Sequence, residues 1–126
     1  MNVANTTIGA SGLTFQSISA NGASSGIVLN NTGSSGRFIV TGNGGTCNSL
    51  ASCTGGAIQN TTSHGVSLTN TLNPSFTQIG IQNTSGSGIE GTGVTGFTLQ
   101  NSFIDNSGTG GGADDSNVAF NNQAAG

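Results

Sequence analysis

The chain has 126 residues, enough for one domain, and only 4% of them are charged. One Lys or Arg against four Asp or Glu gives a net charge of −3, which argues against nucleic-acid and anionic-membrane binding, because both need clustered basic side chains. No apolar run is long enough to predict membrane insertion. The 23 glycines are typical of disorder too, but apolar residues that recur on a fixed period favour a folded repeat.

The N-terminal half of the chain contains the first signs of a repeat. Residues 1–12 predict an incomplete rung, and residues 13–20 alternate well enough for short strands joined by a bend. The first full rung begins with 26–32 (GIVLNNT), which matches 65–71 (GVSLTNT) position for position. We therefore expect both segments to form the same strand in different rungs.

The alternation within this strand predicts which side chains are buried. Ile27 and Leu29 are two residues apart, so both point to the same face, which we expect to be the interior. Asn31 and Asn70 follow in the two copies, and we expect both to point inward at the bend.

An irregular segment, 41–56, follows the strand 36–40 and contains Cys47 and Cys53. We interpret it as an insertion that lengthens one rung. A disulfide that pins a protruding loop is the preferred interpretation, and it favours an oxidising, extracellular setting. Free thiols are the alternative; a zinc site is disfavoured because the sequence offers no second Cys/His pair.

The strongest repeat lies between residues 56 and 106 and has a period of 23 residues. Two columns of identical residues follow this period: Ile58, Ile81 and Ile104, and Asn60, Asn83 and Asn106. Like residues would then stack in successive layers, as an aliphatic column and as an asparagine ladder. We expect a further column of Phe38, Phe76 and Phe97, with the insertion and small bulges absorbing their unequal spacing.

These observations predict an all-β fold with almost no helix: a parallel β-solenoid (β-helix) of about four rungs, each with three short strands and about 23 residues. The whole chain, 1–126, is then one β-helix domain, in which 107–115 is a Gly-rich loop and 116–122 returns to the strand pattern. An antiparallel β-sandwich is the competing fold, but it does not require equally spaced like residues.

The repeat from GVSLTNT through NPSFTQIGIQNTSGSGIEGTGVTGFTLQNSFIDNSG resembles those of large bacterial right-handed parallel β-helix proteins. The resemblance covers roughly residues 26–108. It implies right-handed coiling and an adhesin-like or autotransporter-passenger-like surface protein. The same fold also carries polysaccharide-cleaving enzymes. We expect the chain to be a piece of a longer repeat protein whose secretion signal lies outside this sequence.

The ionisable residues do not predict catalysis. Glu90 and Asp105 fall on different predicted strands, and Asp114 with Asp115 lies in the Gly-rich loop. A pair of carboxylates facing across one groove, which glycoside hydrolysis needs, is not apparent. A calcium site at Asp114 and Asp115 is a minor alternative to solvated loop acids. His64 is interpreted as an exposed turn residue.

The resulting hypothesis is a non-enzymatic structural or adhesive segment, without cofactor or metal, of a secreted or cell-surface bacterial protein. Its partners would be further copies of itself, stacked end to end through open solenoid ends into oligomers or fibres, and surface glycans. A carbohydrate-binding or carbohydrate-cleaving β-helix is the alternative. Ice binding through outward Thr41, Thr77 and Thr98 is a second alternative.

Overall fold

The structure, a computed structural model, describes residues 1–112 and 115–121. The chain coils through four complete turns of three strands each and begins a fifth, which confirms the predicted all-β parallel solenoid. Within the described residues, one 3-10 turn, Leu50–Ser52, is the only helix. The strands in chain order are β1 (Asn2–Ala4), β2 (Leu13–Phe15), β3 (Ala20–Asn21), β4 (Ile27–Asn30), β5 (Phe38–Val40), β6 (Ala57–Gln59), β7 (Val66–Thr69), β8 (Ser75–Thr77), β9 (Gly80–Gln82), β10 (Ile89–Thr92), β11 (Thr98–Gln100), β12 (Phe103–Asp105) and β13 (Val118–Asn121).

Equivalent strands of successive turns pair in parallel to form three sheets. Sheet A has the order β1-β4-β7-β10-β13, sheet B the order β11-β8-β5-β2, and sheet C the order β12-β9-β6-β3. The three strands of the first turn, β1, β2 and β3, pair with the three strands of the second, β4, β5 and β6. The first turn is therefore complete, and the expectation of an incomplete rung at residues 1–12 is wrong.

The turns differ in length although their strands stay in register. At the corner that follows sheet A, equivalent asparagines in the first and second turns are 26 residues apart, and those in the second and third turns are 39 apart. Asn83 and Asn106 show a step of 23 residues from the third to the fourth turn, and Ser87 and Ser116 show a step of 29 to the fifth. The extra residues lie between strands, so they leave the ladder of backbone hydrogen bonds intact.

Sheet C buries the predicted isoleucine column. Ala20, Ile58, Ile81 and Ile104 are successive register partners across the four turns. Ile58 and Ile81 have no exposed surface, while Ile104 in the outermost strand is half-buried. Stacking of like side chains therefore supplies a continuous strip of core along one wall.

Sheet A contributes two inward columns to the same core. Ile27, Val66, Ile89 and Val118 form one, and Val3, Leu29, Leu68, Gly91 and Phe120 form the other. A Cβ atom placed on Gly91 would lie 2.2 Å from the Phe120 ring, so only glycine leaves room for that ring. Phe120 thereby folds over the last complete turn and contacts Phe97, with ring centroids 4.8 Å apart.

Four of the six phenylalanines, Phe15, Phe38, Phe76 and Phe97, form a continuous chain of ring contacts, but Phe38, Phe76 and Phe97 do not form the predicted in-register column. Centroid distances from Phe15 to Phe38, Phe38 to Phe76 and Phe76 to Phe97 are 5.6, 6.0 and 6.1 Å. The register pairs Phe76 with Val40 and Leu99, not with Phe38 or Phe97. The rings therefore alternate between two neighbouring inward positions of sheet B, and large side chains interdigitate without bulges.

The corners of the coil explain why Asn-Thr pairs recur in the sequence. Asn60 and Asn83 end the strands of sheet C at φ values of 54° and 55°, in the left-handed region that Asn tolerates better than most residues. The following Thr61 and Thr84 turn inward and are buried, and each hydroxyl donates to a carbonyl two residues on. The asparagine side chain is thus left on the outside.

The expectation that Asn31 and Asn70 point inward is therefore wrong. Both are exposed and have positive φ, whereas Thr32 and Thr71, which follow them, are buried. A residue in the left-handed conformation shifts the alternation by one, so the inward position passes to the threonine.

Replacement of Ile81 by Ala should lower the free energy of unfolding by about 2–5 kcal/mol, because it leaves a cavity in the middle of the isoleucine column. Urea denaturation measures this change. Ile39→Ala is the matched control: Ile39 alternates with the buried Phe38 and Val40, so it faces outward, and its loss should be less than about 1 kcal/mol. Equal losses at the two positions would contradict the assignment of inside and outside.

Candidate functional site

Two asparagine ladders run along the exposed corners of the solenoid. In the first, Asn106 Nδ2 donates to Asn83 Oδ1 at 2.6 Å, Asn83 Nδ2 to Asn60 Oδ1 at 3.3 Å, and Asn60 Nδ2 to Asn21 Oδ1 at 2.9 Å. The predicted ladder is thus present and extends one turn further. In the first turn Gly22, with φ 75°, takes the corner position and its neighbour Asn21 supplies the amide.

A second ladder, which the sequence interpretation did not recognise as one, follows sheet A. Asn70 Nδ2 donates to Asn31 Oδ1 at 2.9 Å, and Asn31 Nδ2 donates to Asn5 Oδ1 at 3.2 Å. A groove of about 540 Å³ lies beside it and has mostly polar lining residues, namely Asn5, Thr6, Thr7, Asn31, Ser34 and Asn70. Both ladders present amide groups to solvent at the spacing of one turn.

The segment 41–56 contains the disulfide between Cys47 and Cys53, whose Cα atoms are 4.4 Å apart. The segment does not protrude as expected but packs against the next turn. Cys53 is buried, and a Cβ atom placed on Gly80 of β9 would lie 3.2 Å from the Cys53 sulfur. The small residue in β9 therefore makes room for the disulfide against sheet C.

Gln78 also holds this segment, through Gly45 and Thr54, and was not identified from the sequence. Its side chain is buried at a corner with φ 57°, and its Nε2 donates to the Gly45 carbonyl at 2.5 Å. The Thr54 hydroxyl donates to the Gln78 side-chain oxygen. Both polar ends of a buried amide are thus satisfied by the inserted segment, which fixes the segment to the third turn.

One cluster brings together His64, Glu90 and Asp115 from three different turns. Their ligand-type atoms all lie within 4.8 Å of one another, and all three residues are half-buried. His64 lies between β6 and β7, Glu90 is in β10, and Asp115 precedes β13. The cluster therefore lies at the C-terminal end of the solenoid, where it connects the third, fourth and fifth turns.

His64 is not the exposed turn residue that the sequence predicted. Its Nδ1 accepts the backbone N–H of Ser87 at 3.0 Å and lies 3.1 Å from Glu90 Oε2. The imidazole ring also lies over Gly86, where a Cβ atom would come within 2.6 Å of Nδ1. Glycine at 86 is thus what lets the ring lie against the backbone of the next turn.

Backbone and hydroxyl donors hold the two carboxylates of the cluster. The fully buried Ser87 donates its hydroxyl to Glu90 Oε2 at 3.4 Å, and the Gly112 N–H donates to Asp115 Oδ2 at 2.9 Å. One oxygen of each carboxylate is thereby oriented.

The cluster does not include Asp105. Asp105, in β12, accepts a hydrogen bond from Gln82 Nε2 at 3.0 Å on the outer face of sheet C. Asp114 lies outside the described residues, so its place in a calcium site with Asp115 stays a prediction.

The three threonines considered for ice binding do not form one column. Val40 pairs with Phe76, so the residues that follow them, Thr41 and Thr77, occupy the same outward position at the end of the sheet B strands. Thr98 pairs with Ser75, in the neighbouring outward position. A regular array of hydroxyl groups is therefore not formed by these residues.

A signal for the histidine cluster is present in the sequence. A step of 23 residues from His64 reaches Ser87, three residues before Glu90, so the period itself predicts that His64 and Glu90 lie near each other. Asp115 could not be placed in this way. The fourth turn is six residues longer than the period, and the period does not predict where the extra residues lie.

No helix in the described part of the chain has the length and apolar character that crossing a membrane requires. Comparison of the chain with protein-family models, with curated proteins and with solved structures found no match. The solenoid fold thus follows from the structure alone.

Two substitutions of Asn83 should separate the contributions of the ladder. Asn83→Gly removes the side-chain hydrogen bonds but keeps a residue that adopts positive φ freely, so we expect a loss of stability of about 1 kcal/mol. Asn83→Ala should be less stable than the Gly variant by a further 1 kcal/mol or so, because alanine is strained at a φ of 55°. Chemical denaturation of both variants measures the difference. Equal stability of the two would show that the corner conformation carries no strain.

Proposed function

We propose that the chain is a non-enzymatic structural segment of a secreted or cell-surface bacterial protein, in which it acts as a rigid spacer and associates end to end. The observation that carries this proposal is the unbroken stacking of three parallel sheets over four complete turns. Each turn adds roughly 4.8 Å of length, so a longer array of the same repeats would project a partner domain away from a surface.

The side-chain contacts between turns support a rigid rather than a flexible spacer. The asparagine ladders, the isoleucine column and the phenylalanine contacts all connect one turn to the next. Bending the solenoid would have to break several of these contacts at once. A stiff rod is what a stalk or an adhesive extension needs.

The ends of the solenoid support self-association. Among the described residues, β1 and β13 each pair with one strand only, so each has one edge of backbone groups without a strand partner. Val118 and Phe120 on β13 are 39% and 38% exposed, although they belong to inward columns. An edge strand with apolar side chains is suited to pairing with the exposed edge of a second copy.

The disulfide supports an extracellular location. It suggests a non-reducing setting, since glutathione and thioredoxin keep cytosolic thiols reduced. The low charge and the lack of a basic cluster favour a role outside nucleic-acid binding.

A second candidate function is glycan binding at the groove beside the second ladder. Its amide and hydroxyl groups are the kind of donors and acceptors that bind sugar hydroxyls, and its volume of about 540 Å³ is in the range of small-ligand sites. The net charge of −3 favours neutral over acidic glycans.

For self-association, the mass measured by light scattering should rise with protein concentration. Val118→Lys should keep the protein monomeric, because it places a charge at the end of the solenoid. Thr62→Lys adds the same charge at an exposed turn on the side and should leave association unchanged. A monomer at every concentration, or an equal effect of both variants, would contradict the proposal.

For glycan binding, calorimetric titration with neutral cello-, xylo- and galacto-oligosaccharides should show weak, saturable binding. Ser34→Phe should abolish it by filling the groove. Ser35→Phe is the control, since Ser35 is equally exposed but is not among the lining residues. Failure of all three sugars to bind the unmodified protein would remove this candidate.

A further inference from the structure

We propose that His64, Glu90 and Asp115 bind one divalent transition-metal ion of the Zn²⁺ type, which links the third, fourth and fifth turns. The three ligand-type atoms already lie within 4.8 Å of one another although they are far apart in sequence. The proposal concerns a site distinct from the polar groove, and it does not depend on the proposed structural role.

The distances fit a shared ion. Two ligands about 2.1 Å from one ion and roughly 90–110° apart lie about 3.0–3.4 Å from each other. His64 Nδ1 and Glu90 Oε2 are 3.1 Å apart, within this range. The Asp115 carboxylate has to approach by less than roughly 2 Å, which rotation of its side chain provides.

The electrostatics of the pair favour a cation between them. The N–H of Ser87 points at Nδ1, so this nitrogen acts as an acceptor and carries a lone pair. Glu90 Oε2, also an acceptor, faces it at 3.1 Å. Two acceptors at this distance repel each other unless a proton or a metal ion lies between them. An ion at Nδ1 would break the hydrogen bond from the Ser87 N–H and would form three new bonds, one each to His64, Glu90 and Asp115.

The charges of the chain leave few other ways to neutralise this cluster. Glu90 and Asp115 are two of only four acidic residues, while the only Lys or Arg is Arg37. Arg37 precedes β5 in the second turn, whereas both carboxylates belong to the fourth and fifth. Apart from protonation of His64, a bound cation is therefore the remaining source of positive charge at the site.

The type of ligands selects the metal. One imidazole nitrogen with two carboxylate oxygens suits Zn²⁺, and also Mn²⁺ or Co²⁺, whereas Ca²⁺ and Mg²⁺ prefer oxygen ligands alone. The Ser87 hydroxyl and the Gly112 N–H hold one oxygen of each carboxylate, as outer partners do in metal sites. With three protein ligands, water would complete the coordination.

Such an ion would act as a cross-link at one end of the solenoid. Asp115 lies three residues before the start of β13, the strand whose Phe120 contacts Phe97. Binding of the ion would therefore hold β13 against β10 and stabilise the fifth turn in particular. The ion would then favour the folded state in proportion to its occupancy.

The test is a calorimetric titration of the metal-free protein with ZnCl2 and, separately, with CaCl2. We expect one Zn²⁺ per chain, an increase in Tm on saturation, and much weaker binding of Ca²⁺. His64→Gln, Glu90→Gln and Asp115→Asn should each weaken Zn²⁺ binding by at least about tenfold. Asp105→Asn, which removes an acidic group outside the cluster, should bind as the unmodified protein does.

A second measurement does not depend on whether the variants fold. Because the chain has a single histidine, its imidazole signals in the NMR spectrum belong to His64 without ambiguity. One equivalent of Zn²⁺ should shift these signals, and EDTA should restore them. Unshifted signals, undiminished binding by His64→Gln, or an equal loss in Asp105→Asn would each overturn the proposal.

Discussion

Parallel hydrogen bonding between equivalent strands of successive turns determines which residue lies above which, and the rest of the structure follows from that register. Each sheet keeps its pairing through every complete turn. The chain must therefore leave each strand of sheet C at the same place, and a residue with positive φ does this at Gly22, Asn60, Asn83 and Asn106. Asparagine is favoured there because one side chain meets both demands: it tolerates the corner conformation and bonds to its copy in the next turn.

Residues in excess of the basic period account for the features that do not repeat. The longest step, 39 residues, includes the disulfide segment, and the step of 29 includes the loop with Asp115. Both lengthened turns contact a neighbouring turn. In the first, Gln78 of the third turn donates to Gly45; in the second, Asp115 lies close to His64 and Glu90. Regular turns supply the rod, and lengthened turns supply its distinct chemical sites.

The sequence predicts much of this architecture because stacked turns translate a period directly into contacts. Ile58, Ile81 and Ile104 repeat at equal steps and are register partners. The phenylalanine contacts were misassigned because two inward positions lie side by side in sheet B, and period alone does not say which one a ring occupies. The inward direction of Asn31 was wrong because positive φ at the corner interrupts the strand alternation. Gln78 could not be found, since its partners come from an aperiodic segment.

The exposed position of the ladders has a consequence for production of the protein in eukaryotic cells. Asn60-Thr61-Thr62 and Asn83-Thr84-Ser85 are acceptor sequences for N-linked glycosylation, and the nitrogen that would receive the sugar is the one that donates along the ladder. An oligosaccharide on Asn83 would replace one of its two amide hydrogens and place a bulky group between layers about 4.8 Å apart. Bacterial or cell-free expression, which omits this modification, preserves the stacked amides.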